Sequence, residues 1–243
     1  MAMKFLNALT AVCAAGTAIT ILAQGAHAAD LTRSEYEAQL GDKYGLDYDQ
    51  WSLFNQVATT EERVAIDSAD LNSVSLEDVT WEIGANDVEL FFVNEGAGLK
   101  SELFYSTDAG ETLETIWDNI SSANSVLPET NGTLSLGEGV KLGSLESGTI
   151  LDLFLEADNL VFGIDPASNP DSEPHIAAYE AGEFLLLGFE DRTGELNDRD
   201  FNDVVIAVKG LTGTEDAADV PEPMGTAALL GISMFGLVRL RRR

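Results

Sequence analysis

Between Phe189 and Asp203 the chain carries six acids, Glu190, Asp191, Glu195, Asp198, Asp200 and Asp203, against two bases, Arg192 and Arg199. A local charge of −4 in so short a stretch is unfavourable unless protons or a cation offset it. Asp198, Asp200 and Asn202 alternate, so an extended or looped backbone turns their oxygens to one side. Every donor is a hard oxygen, with no thiolate or imidazole close by. That chemistry suits Ca²⁺, which takes about 6–8 oxygens in flexible geometry, better than Mg²⁺ with its strict octahedron. The ligand set read from the sequence is Glu190, Asp191, Asp198, Asp200, Asn202 and Asp203. The competing reading is a solvated turn held by Asx-type backbone bonds, with Asp203 setting the register of the strand that follows.

The D-x-D-x-N spacing resembles the start of an EF-hand loop, but the glycine and the bidentate glutamate that complete that loop are missing. The segment is not an EF-hand. What positions these acids is the pair of apolar runs on either side, Phe184–Phe189 and Val204–Val208. Paired as a hairpin, they bring Glu190 and Asp191 at the end of one strand beside Asn202 and Asp203 at the start of the next.

The same texture fills the chain from Val79 onward. Short β-type runs at Val79–Ile83, Val88–Val93, Leu103–Tyr105, Leu113–Trp117, Val140–Leu142, Ile150–Leu155 and Leu160–Ile164 alternate with Gly, Asn and Asp punctuation. Gly84–Asp87 reads as the turn of a hairpin joining the first two runs, and Ser106–Gly110 as the turn joining the next two. Pro166–Pro174 reads as a long loop. With no intervening helix long enough for a parallel crossover, the expected fold is mainly β, a two-sheet antiparallel β-sandwich of jelly-roll-like form. A short helical prefix precedes it: Tyr36 and Leu40 are four apart, and Trp51, Phe54, Val57 and Ala58 follow one helix face. Thr59–Glu62 reads as the start of a further short helix through Ile66. The resulting division is a leader over 1–28, the helical prefix over 29–75, the β domain over 76–211, a small acidic linker over 212–219 and a tail over 220–243. Trp81, Tyr105 and Trp117 sit in strand-like runs and are read as core.

Residues 29–220 hold 41 acidic and eight basic residues, a net charge of −33. Such a polyanion repels phosphate, which excludes nucleic acid and anionic lipid as partners. Acids scattered over the whole surface fit a salty medium, whereas local crowding fits a bound divalent cation, and both patterns occur. Beyond residue 28 there is no cysteine, so the fold has packing or metal to hold it and no disulfide. His175 is the one histidine past the leader, and its loop beside Pro174 favours a structural or supporting role over a nucleophile's base.

Leu187-Gly188-Phe189-Glu190-Asp191, followed by Asp198-Arg199-Asp200-Phe201-Asn202-Asp203-Val204-Val205, resembles the signature of domain of unknown function 4114 of exported bacterial proteins. Phe91–Gly98, Leu142–Leu155 and the Asn169-Pro170-Asp171 … His175 loop are similar to other parts of that family, so the likeness spans about residues 80–210. Arg192 stands where the family has leucine, and Glu195-Leu196-Asn197 replaces most of a glycine run. The resemblance implies a β-rich exported domain with no established enzymatic activity.

Both ends read as export signals. Lys4, the apolar run Phe5–Leu22 and Ala26-His27-Ala28 form a signal peptide, with Ala26 and Ala28 as the small residues of an A-x-A cleavage site before Ala29. Pro221-Glu222-Pro223, an apolar stretch over Met224–Val238 and the arginines Arg239, Arg241, Arg242 and Arg243 resemble a PEP-CTERM sorting signal. The stretch reads as a transmembrane segment with its arginines on the cytoplasmic side. The resemblance implies processing by an exosortase, a transient stay in the membrane, and release to the cell surface or an exopolysaccharide-rich matrix or biofilm. The expected function is a non-catalytic, Ca²⁺-binding surface or matrix protein. The alternative is a secreted glycan hydrolase working through two carboxylates.

Overall fold

The computed structural model describes residues 31–59, 72–74, 76, 79–84, 87–128, 131–143 and 145–215. The leader with Ala26 and Ala28, the short helix expected through Ile66, and the tail with Pro221, Glu222, Pro223 and the terminal arginines all lie outside the described residues. Among the described residues no helix is long and apolar enough to cross a membrane.

Among the described residues two helices open the fold, α1 (Arg33–Leu40) and α2 (Tyr48–Ala58). Each starts on a capping box: Thr32 with Glu35, and Asp47 with Gln50, exchange side-chain and backbone hydrogen bonds that satisfy otherwise orphaned N–H groups. Tyr36 of α1 stacks on Trp51 of α2 with ring centroids 4.8 Å apart, and its hydroxyl donates to the Leu46 carbonyl at 2.8 Å. The prefix is docked onto the β domain. Gln39 accepts from the Leu136 N–H at 2.9 Å and donates to the Leu136 carbonyl at 2.7 Å, while the Trp51 indole N–H donates to the Val93 carbonyl.

Among the described residues twelve strands follow: β1 (Asn72–Val74), β2 (Val79–Ile83), β3 (Glu89–Glu95), β4 (Ser101–Ser106), β5 (Glu114–Trp117), β6 (Gly139–Lys141), β7 (Asp152–Ala157), β8 (Leu160–Phe162), β9 (Ile176–Ala181), β10 (Phe184–Phe189), β11 (Val204–Lys209) and β12 (Leu211–Glu215). They form antiparallel sheets of six strands, β1-β9-β10-β11-β3-β6, four strands, β5-β4-β7-β8, and two strands, β12-β2. One hydrophobic core gathers Leu103, Leu153 and Leu155 of the four-stranded sheet with Phe92, Leu186 and Ile206 of the six-stranded one. The fold is mainly β, as the alternation of short runs predicts, and its open antiparallel sheets are those of a β-sandwich.

β10 and β11 lie at the centre of the large sheet. Every residue of β10 and all but the last of β11 are buried, so neither strand alternates. Helix α2 packs on β3, β10 and β11, with Phe54 edge-on to Phe184 at 5.2 Å. A strand covered on both faces reads as a continuous apolar run, which is how these two appear in the sequence.

Several sequence expectations change. Val79–Ile83 and Val88–Val93 do not pair as a hairpin. β2 pairs with β12, Leu211↔Ile83 through Glu215↔Val79, and β3 pairs with β11 and β6. The expected linker over 212–219 therefore begins inside a strand, and the expected prefix over 29–75 includes β1, which pairs with β9. β9 itself, Ile-Ala-Ala-Tyr-Glu-Ala, has no β-branched run to announce it.

Candidate functional site

The acidic segment is the connection between β10 and β11. Their register, Phe184↔Lys209 to Phe189↔Val204, carries Glu190 and Asp203 out of the hairpin opposite one another, as the sequence predicts. On the other side β9 continues the row, since the Glu190 N–H donates to the His175 carbonyl at 2.9 Å. Toward β3 the Gly96 N–H donates to the Asp203 carbonyl at 3.0 Å. A register shift between Val205 and Ile206 against β3 bends the ladder just before this row, a common way to re-aim side chains at a sheet end.

The loop then folds back over the strand it left. A Cβ on Gly188 would lie 2.1 Å from the Phe201 carbonyl oxygen, and one on Gly96 would lie 2.9 Å from the Asn202 carbonyl oxygen. Neither position has room for a side chain. Arg199 and Phe201 both adopt left-handed backbone, φ 63° and 55°, on either side of Asp200. Two such non-glycine residues so close together store strain, which persists only where surrounding contacts over-determine it. The contacts are visible: the Phe201 ring is buried, and its N–H donates to Glu190 Oε1 at 2.6 Å.

Glu190 has no exposed surface, and its second oxygen, Oε2, has no hydrogen-bond partner. Asp191 is 2% exposed and neither carboxylate oxygen is hydrogen-bonded. Its nearest cation is the Arg192 Nε, 3.6 Å from Oδ1. The Asp191 N–H donates to Asp203 Oδ2 at 2.8 Å. Asn202 braces Asp200, donating from Nδ2 to Oδ2 at 2.6 Å and from its backbone N–H to Oδ1 at 3.3 Å. Glu190, Asp198 and Asp200 each offer an oxygen such that the three lie within 4.8 Å of one another. Those three of the six predicted ligands form a cation-sized cluster; Asp191 and Asp203 stand beside it at the strand ends, and Asn202 orients a ligand.

Electrostatics follow from this burial. Desolvation pushes the Glu190 carboxyl up to about 8, helped by the charges of Asp203, Asp198 and Asp200 and opposed by the Phe201 N–H. Asp200 is raised to about 6 by desolvation and then by Asp198. Desolvation also raises Asp191 and Asp203, and each interacts with the other's carboxyl. Four acids thus resist ionisation in the protein alone, and a divalent cation reverses that tendency by supplying the missing positive charge.

Sequence reasoning gave His175 a supporting role but did not place it beneath the loop. His175 is wholly buried, with Nδ1 3.2 Å from the Glu190 carbonyl and Nε2 3.0 Å from Asp171 Oδ1, and its ring stacks on Phe162 at 4.1 Å. The signal available was the Asp-x-x-x-His spacing, Asp171 to His175, in a loop otherwise rich in proline and serine. It is a support for the backbone of Glu190, in line with a structural histidine.

This segment lies within a match to a known family model. Residues 144–211 match the Domain of unknown function (DUF4114). The match takes in β7 to β11 and the whole acidic loop, but not Phe91–Gly98, which the resemblance read from the sequence also included. No curated protein and no solved structure gives a significant match.

Proposed function

We propose that this chain is a non-catalytic, exported protein of the cell surface or extracellular matrix whose β-sandwich binds Ca²⁺ through the β10–β11 loop. One observation carries the reading. Glu190 is a fully buried carboxyl with one oxygen bound to the Phe201 N–H and the other without a partner, while oxygens of Asp198 and Asp200 converge on it within 4.8 Å. A buried ionised carboxylate needs a positive partner, and hard oxygens in an irregular loop favour Ca²⁺. Asp198 is exposed and Asp200 partly so, which gives an ion access from solvent. Bound there, the ion ties the loop to the end of β10 and takes over the charge balance.

The export half of the reading rests on the two termini. A leader with Ala26 and Ala28 delivers the chain across the inner membrane, and the Pro221-Glu222-Pro223 tail with its arginines hands it to an exosortase. Membrane contact is transient, and the partner beyond is exopolysaccharide. The hydrolase alternative has less support, because a general acid must reach its substrate and Glu190 has no exposed surface.

Titration of Ca²⁺ into the metal-stripped protein tests the reading. The expected result is measurable heat and a rise in Tm that a chelator removes. A titration with neither heat nor a change in Tm eliminates the cation site. Release of sugars from the producer's own matrix by the purified protein reverses the preference between the two functions.

A further inference from the structure

The four-stranded sheet β5-β4-β7-β8 turns one face to the core and the other outward. Burial alternates along β4 from Ser101 to Tyr105 and along the whole of β7. Leu103, Tyr105, Leu153 and Leu155 therefore point into the core, while Glu102, Phe104, Asp152, Phe154 and Glu156 point away from it. The alternation continues back to Ile150, which is 47% exposed. A sheet face left to water is ordinarily polar. Here the register sets Phe104 directly opposite Phe154, and neither ring belongs to the core. Backbone alone flanks the second ring: a Cβ on Gly163 would lie 2.8 Å from Phe154 Cε1, and one on Gly110 3.2 Å from its Cζ.

The next row carries charge. Glu102 stands opposite Glu156, whose neighbour on β8 is Val161. Like charges directly opposite one another destabilise a sheet. Lys100 answers the first of them, with Nζ 3.0 Å from Glu102 Oε1, and among the described residues Glu156 has no ion-pair partner. Asp152 lies on the other side of the aromatic pair, opposite Ser106. The face thus presents two rings between rows of carboxylate, with one ammonium against three acids.

A ligand for it must lay an apolar surface on the rings and bring donors, some of them cationic, to the acids. An anionic polymer is excluded by the net charge of −33 over residues 29–220. A peptide docks on a sheet through main-chain hydrogen bonds along an edge, and a sheet face offers side chains only. A pyranose has C–H groups on its face and hydroxyls around its rim, and an amine on that rim supplies the missing positive charge, which an aromatic ring also attracts. Resting on the reading of the chain as a matrix protein, we propose that the outer face of the four-stranded sheet binds an amine-bearing polysaccharide. Its sugar rings lie on Phe104 and Phe154, and its ammonium groups meet Glu102 and Glu156.

Calorimetric titration of the purified protein at physiological ionic strength tests this with four probes: a glucosamine oligosaccharide, its N-acetylated counterpart, a galacturonate oligosaccharide and oligolysine. The glucosamine probe should bind, acetylation should weaken it by at least about tenfold, and galacturonate should not bind. Joint replacement of Glu102→Gln and Glu156→Gln should cost the same tenfold or more while Tm holds or rises, because the like-charge opposition is gone. Phe154→Leu keeps an apolar side chain but removes the ring, and should weaken the probe by about fivefold. Glu37→Gln with Asp42→Asn removes equal charge from exposed positions of the helical prefix and should leave affinity unchanged. Equal weakening in that pair overturns the site, since the attraction then belongs to the whole surface. Oligolysine that binds as tightly, and is lost in the same sheet variants, overturns the glycan in favour of a basic protein segment. No binding of the glucosamine probe by the wild type overturns the site outright. Co-sedimentation with the producer's own matrix polysaccharide then separates the two readings: retention leaves the matrix protein standing, and its absence removes that reading as well.

Discussion

Two hairpin connections in this protein are rich in acids, and they solve the problem of that charge in opposite ways. Between β4 and β5, Asp108 lies in a solvated turn where its Oδ1 accepts from Ser106 Oγ at 2.7 Å and from the Thr112 N–H at 2.8 Å. Those donors hold its carboxyl below the usual range. Between β10 and β11, Asp191 and Glu190 are buried, both oxygens of the first and Oε2 of the second accept no hydrogen bond, and burial pushes both carboxyls up. Both connections also use left-handed backbone at non-glycine positions, Ala109 in one and Arg199 and Phe201 in the other. The number of acids is therefore a poor guide to a cation site. What separates the two loops is whether local N–H and O–H groups satisfy the carboxylates.

The largest effect that tests this contrast is steric. Gly188→Ala places a methyl group 2.1 Å from the Phe201 carbonyl, so the acidic loop must lift off β10. We expect a loss of about 3 kcal/mol, at the upper end of overpacking, measured by denaturant unfolding, together with loss of Ca²⁺ binding. Unchanged Ca²⁺ affinity in that variant would show that the loop's fit over Gly188 does not build the site.

Next comes the ion itself. At a free concentration a hundredfold above Kd, Ca²⁺ should add about 2.7 kcal/mol of stability by mass action, which for a domain of this size is a Tm rise of about 5–10 °C. Double replacement of Asp200→Ala and Asp203→Ala should abolish the rise, whereas Asp108→Ala should leave it untouched and cost little stability of its own. An equal loss of Ca²⁺ response in both variants would erase the distinction between the loops.

The pH dependence sharpens it further. In metal-free protein Glu190 titrates near 8 and Asp200 near 6, both above their values in an unfolded chain. The folded state then binds more protons than the unfolded one between about pH 4 and pH 8, so stability should fall as pH rises through that window. Saturating Ca²⁺ should flatten the slope by favouring the ionised forms. A metal-free protein whose chemical stability is flat or rises between pH 5 and 8 contradicts the burial of these acids.

The smallest effect belongs to the buttress. His175→Gln removes one of the two ring contacts to Asp171 and the Glu190 carbonyl, and stacking on Phe162. We expect a loss of about 1–2 kcal/mol in unfolding and a modest fall in Ca²⁺ affinity, read by titration calorimetry. A fall in affinity as large as that of Glu190→Gln would place His175 in the site and not beneath it.

How much of this was legible in the sequence depends on how far apart the interacting residues lie. The β10–β11 hairpin was legible because two apolar runs flank one loop, and its pairing alone brings Glu190 opposite Asp203. The two helices were legible from Trp51, Phe54, Val57 and Ala58 on one face. The partner of β2 was not, because the local turn at Gly84 suggests β3 while the actual neighbour is β12, with the Gly84 N–H donating to the Gly210 carbonyl at 2.8 Å. Strand β9 was hidden by its alanines. In the site, residue types gave the ligand candidates, but nothing in their spacing separated Glu190, Asp198 and Asp200 from Asp191 and Asp203. That separation comes from the loop's return over Gly188, a close approach of backbone that a sequence shows only as one more glycine.

The β2–β12 ribbon has a mechanical consequence. Val79 and Glu215 face each other at one end of that ladder, so the chain enters one strand and leaves the other at the same place. Tension applied beyond Glu215 peels the ribbon one residue pair at a time, a geometry that yields at low force because the hydrogen bonds are loaded in sequence and not together. The two-stranded ribbon can open under load like a zip, while the six-stranded sheet and its acidic loop stay whole.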